Sequence, residues 1–140
     1  MAKPAQIISW ILQVAIAGIF VAFAISKLRY VPMTQAIFGE IGGRPAATTV
    51  AVMELVAAAL LLIPRTIPYG AILAVFVLLG AITTHMAKIG ISLTDPETGK
   101  SDGGSMFMMA IGFLIASLVV FVLRKSQFVR SKTSEPERAP

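Results

Sequence analysis

Cysteine is absent from this 140-residue chain, which excludes disulfides, thiol redox chemistry and thiolate metal sites. Charge is scarce too: Asp, Glu, Lys and Arg make up 14% of the residues, against about 25% in soluble domains. With only one histidine, a bis-histidine haem within one chain is impossible. No phosphate loop, carboxylate pair, nucleophilic triad or metal motif occurs. "GEIGG" follows no strand pattern, so it is loop chemistry and not a dinucleotide fingerprint. The chain is instead 56% hydrophobic, with a mean hydropathy of +0.84. That balance points to a lipid bilayer as solvent. The net charge of +5 is gathered in ends and loops, and no nucleic-acid partner is expected.

The predicted fold class is all-α: a polytopic membrane protein whose four transmembrane helices form a bundle over residues 1–125. The spans are expected at about 7–26, 46–63, 67–87 and 106–123, each near the ~20 apolar residues that cross a hydrocarbon core. Pro45 and Pro68 stand near the heads of the second and third spans, where a missing N–H costs nothing. Ser105 is the predicted N-cap of the fourth. Seven Lys and Arg (Lys3, Arg65, Arg124, Lys125, Arg130, Lys132, Arg138) share the side of the termini, against five (Lys27, Arg29, Arg44, Lys88, Lys100) on the other. That bias predicts both termini in the cytoplasm, with Trp10 and Tyr69 at the same interface. A competing reading makes residues up to Ala24 a cleavable leader. The apolar run is longer than a leader's core and three more spans follow, which favours a retained helix. In the first outer loop, Pro32, Met33, Ala36, Ile37 and Ile41 have the spacing of a short interfacial helix ended by Gly42 and Gly43. Residues 126–140 read as a basic cytoplasmic tail, disordered toward its end.

Small residues let membrane helices approach closely. Gly18, Ala22 and Ser26 form such a stripe on the first span, and Ala47, Ala51, Glu54 and Ala58 on the second. Gly70, Ala74, Ala81 and His85 follow on the third, with Gly112 and Ala116 on the fourth. All four stripes are expected to face inward. Glu54 is the anomaly. A charge at a helix centre costs around 2.5–3.5 kcal/mol, and the eight Leu, Ile and Val of its span return about 2.4–4.8 kcal/mol. The helix alone is marginal, so the acid needs the bundle, a partner, or its neutral form. An intramembrane acid is a functional candidate. Depth along the helices suggests a polar funnel opening outward, with Glu54 at its floor. Thr48, Thr49, Thr83, Thr84 and His85 lie higher, Lys27 is a snorkelling residue near the outer interface, and Gln13 approaches Glu54 from below. Glu54, His85, Lys27, Gln13 and Thr84 are therefore the candidate ligand-binding or proton-titrating residues. The methionines read as packing, and no metal site or catalytic residue is expected.

Three segments carry a family resemblance: "AGIFVAFAISKL" (17–28), "VAVMELVAAALLLIPR" (50–65) and "VLLGAITTHMAKIG" (77–90). Together the chain resembles the DoxX-like family of small four-helix membrane proteins. It departs at Ala22–Ser26, where many members carry a further glycine. The resemblance implies that Lys27, Glu54 and His85 hold the family's polar positions. It also implies association with membrane oxidoreductases, including a thiosulfate:quinone oxidoreductase, in the bacterial cytoplasmic (inner) membrane. The expected role is an accessory subunit of a quinone-linked complex, with no intrinsic cofactor and a quinone-like or other lipophilic molecule as ligand. Its partners would be the lipid bilayer and other membrane subunits. Two alternatives stay open: a small proton-coupled carrier that titrates Glu54, and an assembly subunit with no ligand.

Overall fold

Prolines and glycines divide the apolar sequence into helices. The computed structural model describes residues 3–133, with side chains described through Ser126. Helix α1 spans Lys3–Arg29 and the short α2 spans Pro32–Phe38. Helices α3 (Gly43–Leu62) and α4 (Ile67–Thr84) follow, the latter continued by a π-helical turn at His85–Ile89, and α5 spans Ser105–Thr133. Four of the segments, Lys3–Arg29, Gly43–Leu62, Ile67–Ile89 and Ser105–Ser126, are long and apolar enough to cross a membrane. The chain is all-helical, as predicted, with no strand among the described residues beyond an isolated Thr94–Ser101 bridge. α5 runs on to Thr133 instead of giving way near residue 126, and the predicted disordered tail beyond it lies outside the described residues.

Local chemistry explains the breaks. α1 ends where Tyr30 takes a left-handed conformation (φ 51). The Val31 amide then donates to Ser26 and the Tyr30 amide to Lys27, the paired bonds of a Schellman cap. Pro32 opens α2 with its pre-set φ, and α2 stops at Phe38, before the paired glycines. Between α3 and α4, the Thr66 hydroxyl donates to the carbonyls of Leu60 and Ile63, closing the end of α3.

The bundle is a ring in the order α1, α3, α4, α5, with α5 returning to α1 and α2 lying against α3. The half nearer the termini is solid, built from Ile16, Phe20, Ala57, Leu61, Ile67, Ala71 and Val120. Outward faces carry large aliphatics such as Ile7, Ile11, Val52, Val56, Ile115 and Val122, the surface that acyl chains require.

The α3 stripe faces inward as expected: Ala47, Ala51, Glu54 and Ala58 are all buried. The α1 stripe does not. Gly18 and Ala22 are exposed, and a Cβ on Gly18 would meet nothing within 4 Å. Helix α1 is turned to bury Ser9, Gln13, Ala17, Phe20 and Ala24, because leaving Gln13 and Lys27 in lipid costs more than forgoing a close glycine contact. Gly112 is likewise exposed, and α5 buries Ala110, Ser117 and Val120. The glycine that matters is Gly70. A Cβ there would lie 2.7 Å from the Leu61 nitrogen, so the α3–α4 hairpin closes only on a bare backbone. Gly70→Val should therefore lose about 1–3 kcal/mol in detergent unfolding, while Gly18→Ala changes stability by less than about 1 kcal/mol. Equal effects of the two would refute this packing.

Candidate functional site

The loop-side half of the bundle is hollow. A cavity of about 440 Å³ lies among α1, α3, α4 and α5 under the residues around α2. Its walls are aromatic and aliphatic, among them Phe20, Phe23, Phe38, Met53, Met109 and Phe113. Four of the five predicted site residues, Lys27, Glu54, Thr84 and His85, line this one space.

Lys27 and Glu54 form its polar centre. The Lys27 ammonium donates to both carboxylate oxygens of Glu54, at 2.8 and 3.1 Å. Their side chains are 16% and 5% exposed. Lys27 is thus a half-buried partner of the acid and not a snorkelling anchor, and its ammonium also lies 5.3 Å from the centre of the Phe23 ring. The cation that a buried acid needs is supplied by the last turn of α1.

His85 begins the π-helical turn, a distortion frequent at functional sites. It is 5% exposed. Its Nδ1 is 2.9 Å from the Gly90 carbonyl, and its ring meets Phe107 of α5 edge-on at 5.7 Å. Gly90 closes the turn at φ 80, a conformation suited to glycine. The Thr84 hydroxyl donates to the Gly80 carbonyl at 2.8 Å. Thr48, Thr49 and Thr83 are exposed and stay outside the cavity, because their positions on α3 and α4 turn away from the bundle.

Gln13 does not approach Glu54. Its Nε2 donates to Ser9, one turn back on α1, and the side chain is wholly buried. Arg124 of α5 donates from Nε to the same Ser9 hydroxyl at 2.9 Å, with its guanidinium 5.7 Å from the Trp10 ring. This second polar cluster fastens α5 to α1 at the termini. Ser9 and Gln13, four residues apart on one helix face, were its available signal; Arg124 reads from sequence as a topology charge.

Asp102 was also missed. Its carboxylate accepts from the backbone N–H groups of Leu93 and Gly104 at 2.8 Å and of Met106 at 3.3 Å. It, and not Ser105, orders the start of α5. Those donors, Leu93 first and Gly104 next, pull its carboxyl below the ordinary range. The Asp95 amide donates to Lys100 and the Asp102 amide to Leu93, so the second loop is a small hairpin.

With this geometry in place, one comparison identifies the chain. The model of the family described as methylamine utilisation protein MauE matches residues 5–95, about two thirds of the sequence. The chain belongs to the MauE family. The matched region holds Lys27, Glu54, Thr84 and His85, the polar side chains that line the cavity, together with Gly90. Membership of the MauE family, with four apolar helices, makes it a small multi-pass membrane protein. No curated protein and no solved structure matches it.

Two outcomes test the site's physics. Lys27→Met strands a buried carboxylate and should lose about 3–5 kcal/mol, most of it restored by adding Glu54→Leu; a Lys27→Met protein as stable as its parent in detergent unfolding would reject the pair as a fastening. For Asp102 the sign follows from its lowered carboxyl. Its stabilisation is full above the ordinary carboxylate range and is lost as pH falls through that range and below. Asp102→Ala should abolish that dependence and speed hydrogen exchange at the Leu93 and Gly104 amides.

Proposed function

We propose that this protein is an accessory membrane component of an oxidation system, and that its cavity holds a ring-bearing lipophilic ligand of the quinone class. The observation that carries the reading is the cavity itself: apolar walls, with Lys27, Glu54, Thr84 and His85 as its few polar groups. That combination is what small-molecule sites use, apolar lining for affinity and a few fixed polar groups for orientation. A quinone ring would stack among Phe20, Phe23 and Phe113, and a ring oxygen would accept a hydrogen bond from the Lys27 ammonium.

Entry from the bilayer fits the rim. Phe76, 65% exposed on the outer face of α4, and Gly80 beside it both line the cavity, so a molecule dissolved in lipid meets the opening sideways. The family is described by methylamine utilisation, which supports a role beside the oxidation of a small amine, and the DoxX-like resemblance points to quinone-linked oxidoreductases. The chain has no cysteine for thiol redox chemistry, and in this reading a partner protein supplies the electrons that reach such a ligand. We assign it to the cytoplasmic membrane of a bacterium, both termini inside, on the Lys and Arg bias of its loops.

A second reading has its own observation: the Lys27–Glu54 pair joins α1 to α3 and serves as a staple, with no ligand involved. Purification in mild detergent, followed by solvent extraction and mass spectrometry, separates the two. The ligand reading expects a quinone in near-stoichiometric amount, reduced at least tenfold in a Phe20→Ala/Phe113→Ala variant that keeps the ion pair. A ligand-free protein that also binds no added quinone leaves the staple.

A further inference from the structure

The polar groups of the cavity are unevenly matched, and the imbalance specifies the ligand more closely. His85 is the clearest case. The Gly90 carbonyl has only lone pairs to offer, so the 2.9 Å contact requires the proton on Nδ1. In the neutral ring Nε2 is then a bare acceptor. The fold holds this tautomer: Gly90 is fixed at φ 80 by the end of the π-helical turn, and Phe107 holds the ring from α5. No protein donor among the described residues reaches Nε2.

Thr84, its neighbour, is committed in the same sense. Its hydroxyl proton goes to the Gly80 carbonyl, so toward the cavity it presents lone pairs alone. The Glu54 carboxylate is an acceptor by nature. Against these three acceptors stands one donor, the Lys27 ammonium, already in contact with both oxygens of Glu54. A quinone brings two carbonyl acceptors and no donor. It would satisfy Lys27 and bring no donor to the His85 lone pair. A quinol or phenol brings O–H donors on the same ring, together with oxygens that still accept from Lys27.

We infer that the cavity selects the hydroxyl-bearing, reduced form of its ring ligand, with His85 Nε2 accepting a ligand O–H and Lys27 donating to a ligand oxygen. The inference rests on the quinone-class reading above and adds its redox state. His85 is a positioning residue in this account: it reads the hydroxyl and carries no electron. Sites built to hydrogen-bond a hydroxyl discriminate strongly against analogues lacking it, because their own buried groups are left unpaired.

The test measures binding to the purified full-length protein in nanodiscs, under anaerobic conditions, by titration calorimetry. The probes are a decyl-tailed benzoquinone, its quinol, and the quinol's dimethyl ether, which keeps ring and oxygens but has no O–H. The quinol should bind at least about tenfold more tightly than either other probe. His85→Phe, which keeps an aromatic ring against Phe107, should erase that preference by weakening the quinol alone. Equal affinity for all three, tighter binding of the quinone, or a preference that survives in His85→Phe overturns the inference while the quinone-class reading stands. Binding of none of the probes overturns both.

Discussion

Placing a charge in hydrocarbon is the cost around which this bundle is arranged. Glu54 sits on the inner face of α3, and the side chain that neutralises it comes from α1, 27 residues earlier. That contact fixes the rotation of α1 about its axis. With Lys27 turned inward, the residues one and two turns before it on the same face, Ala24 and Phe20, are buried as well. Gly18 and Ala22 are carried to the outside. The same rotation sets Phe23 beside the ammonium and puts Phe20 and Phe23 into the cavity wall. A different partner for Glu54 would have made a different α1 and a different hollow.

Much of this was legible beforehand because it depends on period and composition. Helix count, span positions, the start of α2 at Pro32 and the inward face of α3 follow from apolar periodicity and proline placement. Glu54 was legible as a position that needs a partner, because a lone acid in an apolar span is costly unless paired or neutral. The misreading of α1 has a physical origin. A helix with both a small-residue stripe and a polar stripe offers two inner faces, and its sequence alone does not rank them. On α1 the polar stripe Gln13–Phe20–Lys27 prevailed. Gln13 was placed on the correct face, but its partner is decided by what α5 brings, and Arg124 lies 115 residues from the serine they share. Asp102 reads as an ordinary loop acid in sequence, because its role depends on amides that only a folded hairpin gathers.

The solid and hollow halves are connected. A cavity in a membrane bundle forfeits the close packing that associates helices in lipid, so the helices around it need other fastenings. Each seam of the ring has its own. The α1–α3 seam carries the ion pair. The α3–α4 seam closes where Gly70 meets the backbone of Leu60 and Leu61. On the α4–α5 side, His85 meets Phe107 edge-on and the Asp102 clamp ties the connecting hairpin to the start of α5. The α5–α1 seam is shut by Arg124 on Ser9 and Trp10.

These fastenings are not evenly distributed with depth, and that matters for the cavity. Gly70 and the Ser9–Arg124 cluster lie in the half nearer the termini, where Ile16, Leu61, Ile67 and Val120 are fully buried. In the other half, polar groups that join helices also sit on the lining: Lys27 pairs with Glu54 across α1 and α3, and His85 meets Phe107 of α5. The terminal half is thus the closely packed one, and the groups that join helices in the hollow half are the ones the proposed ligand would meet. In the proposed ligand-binding reading, a molecule that engages Lys27, Glu54 and His85 would act on the same side chains that join the helix ends around it.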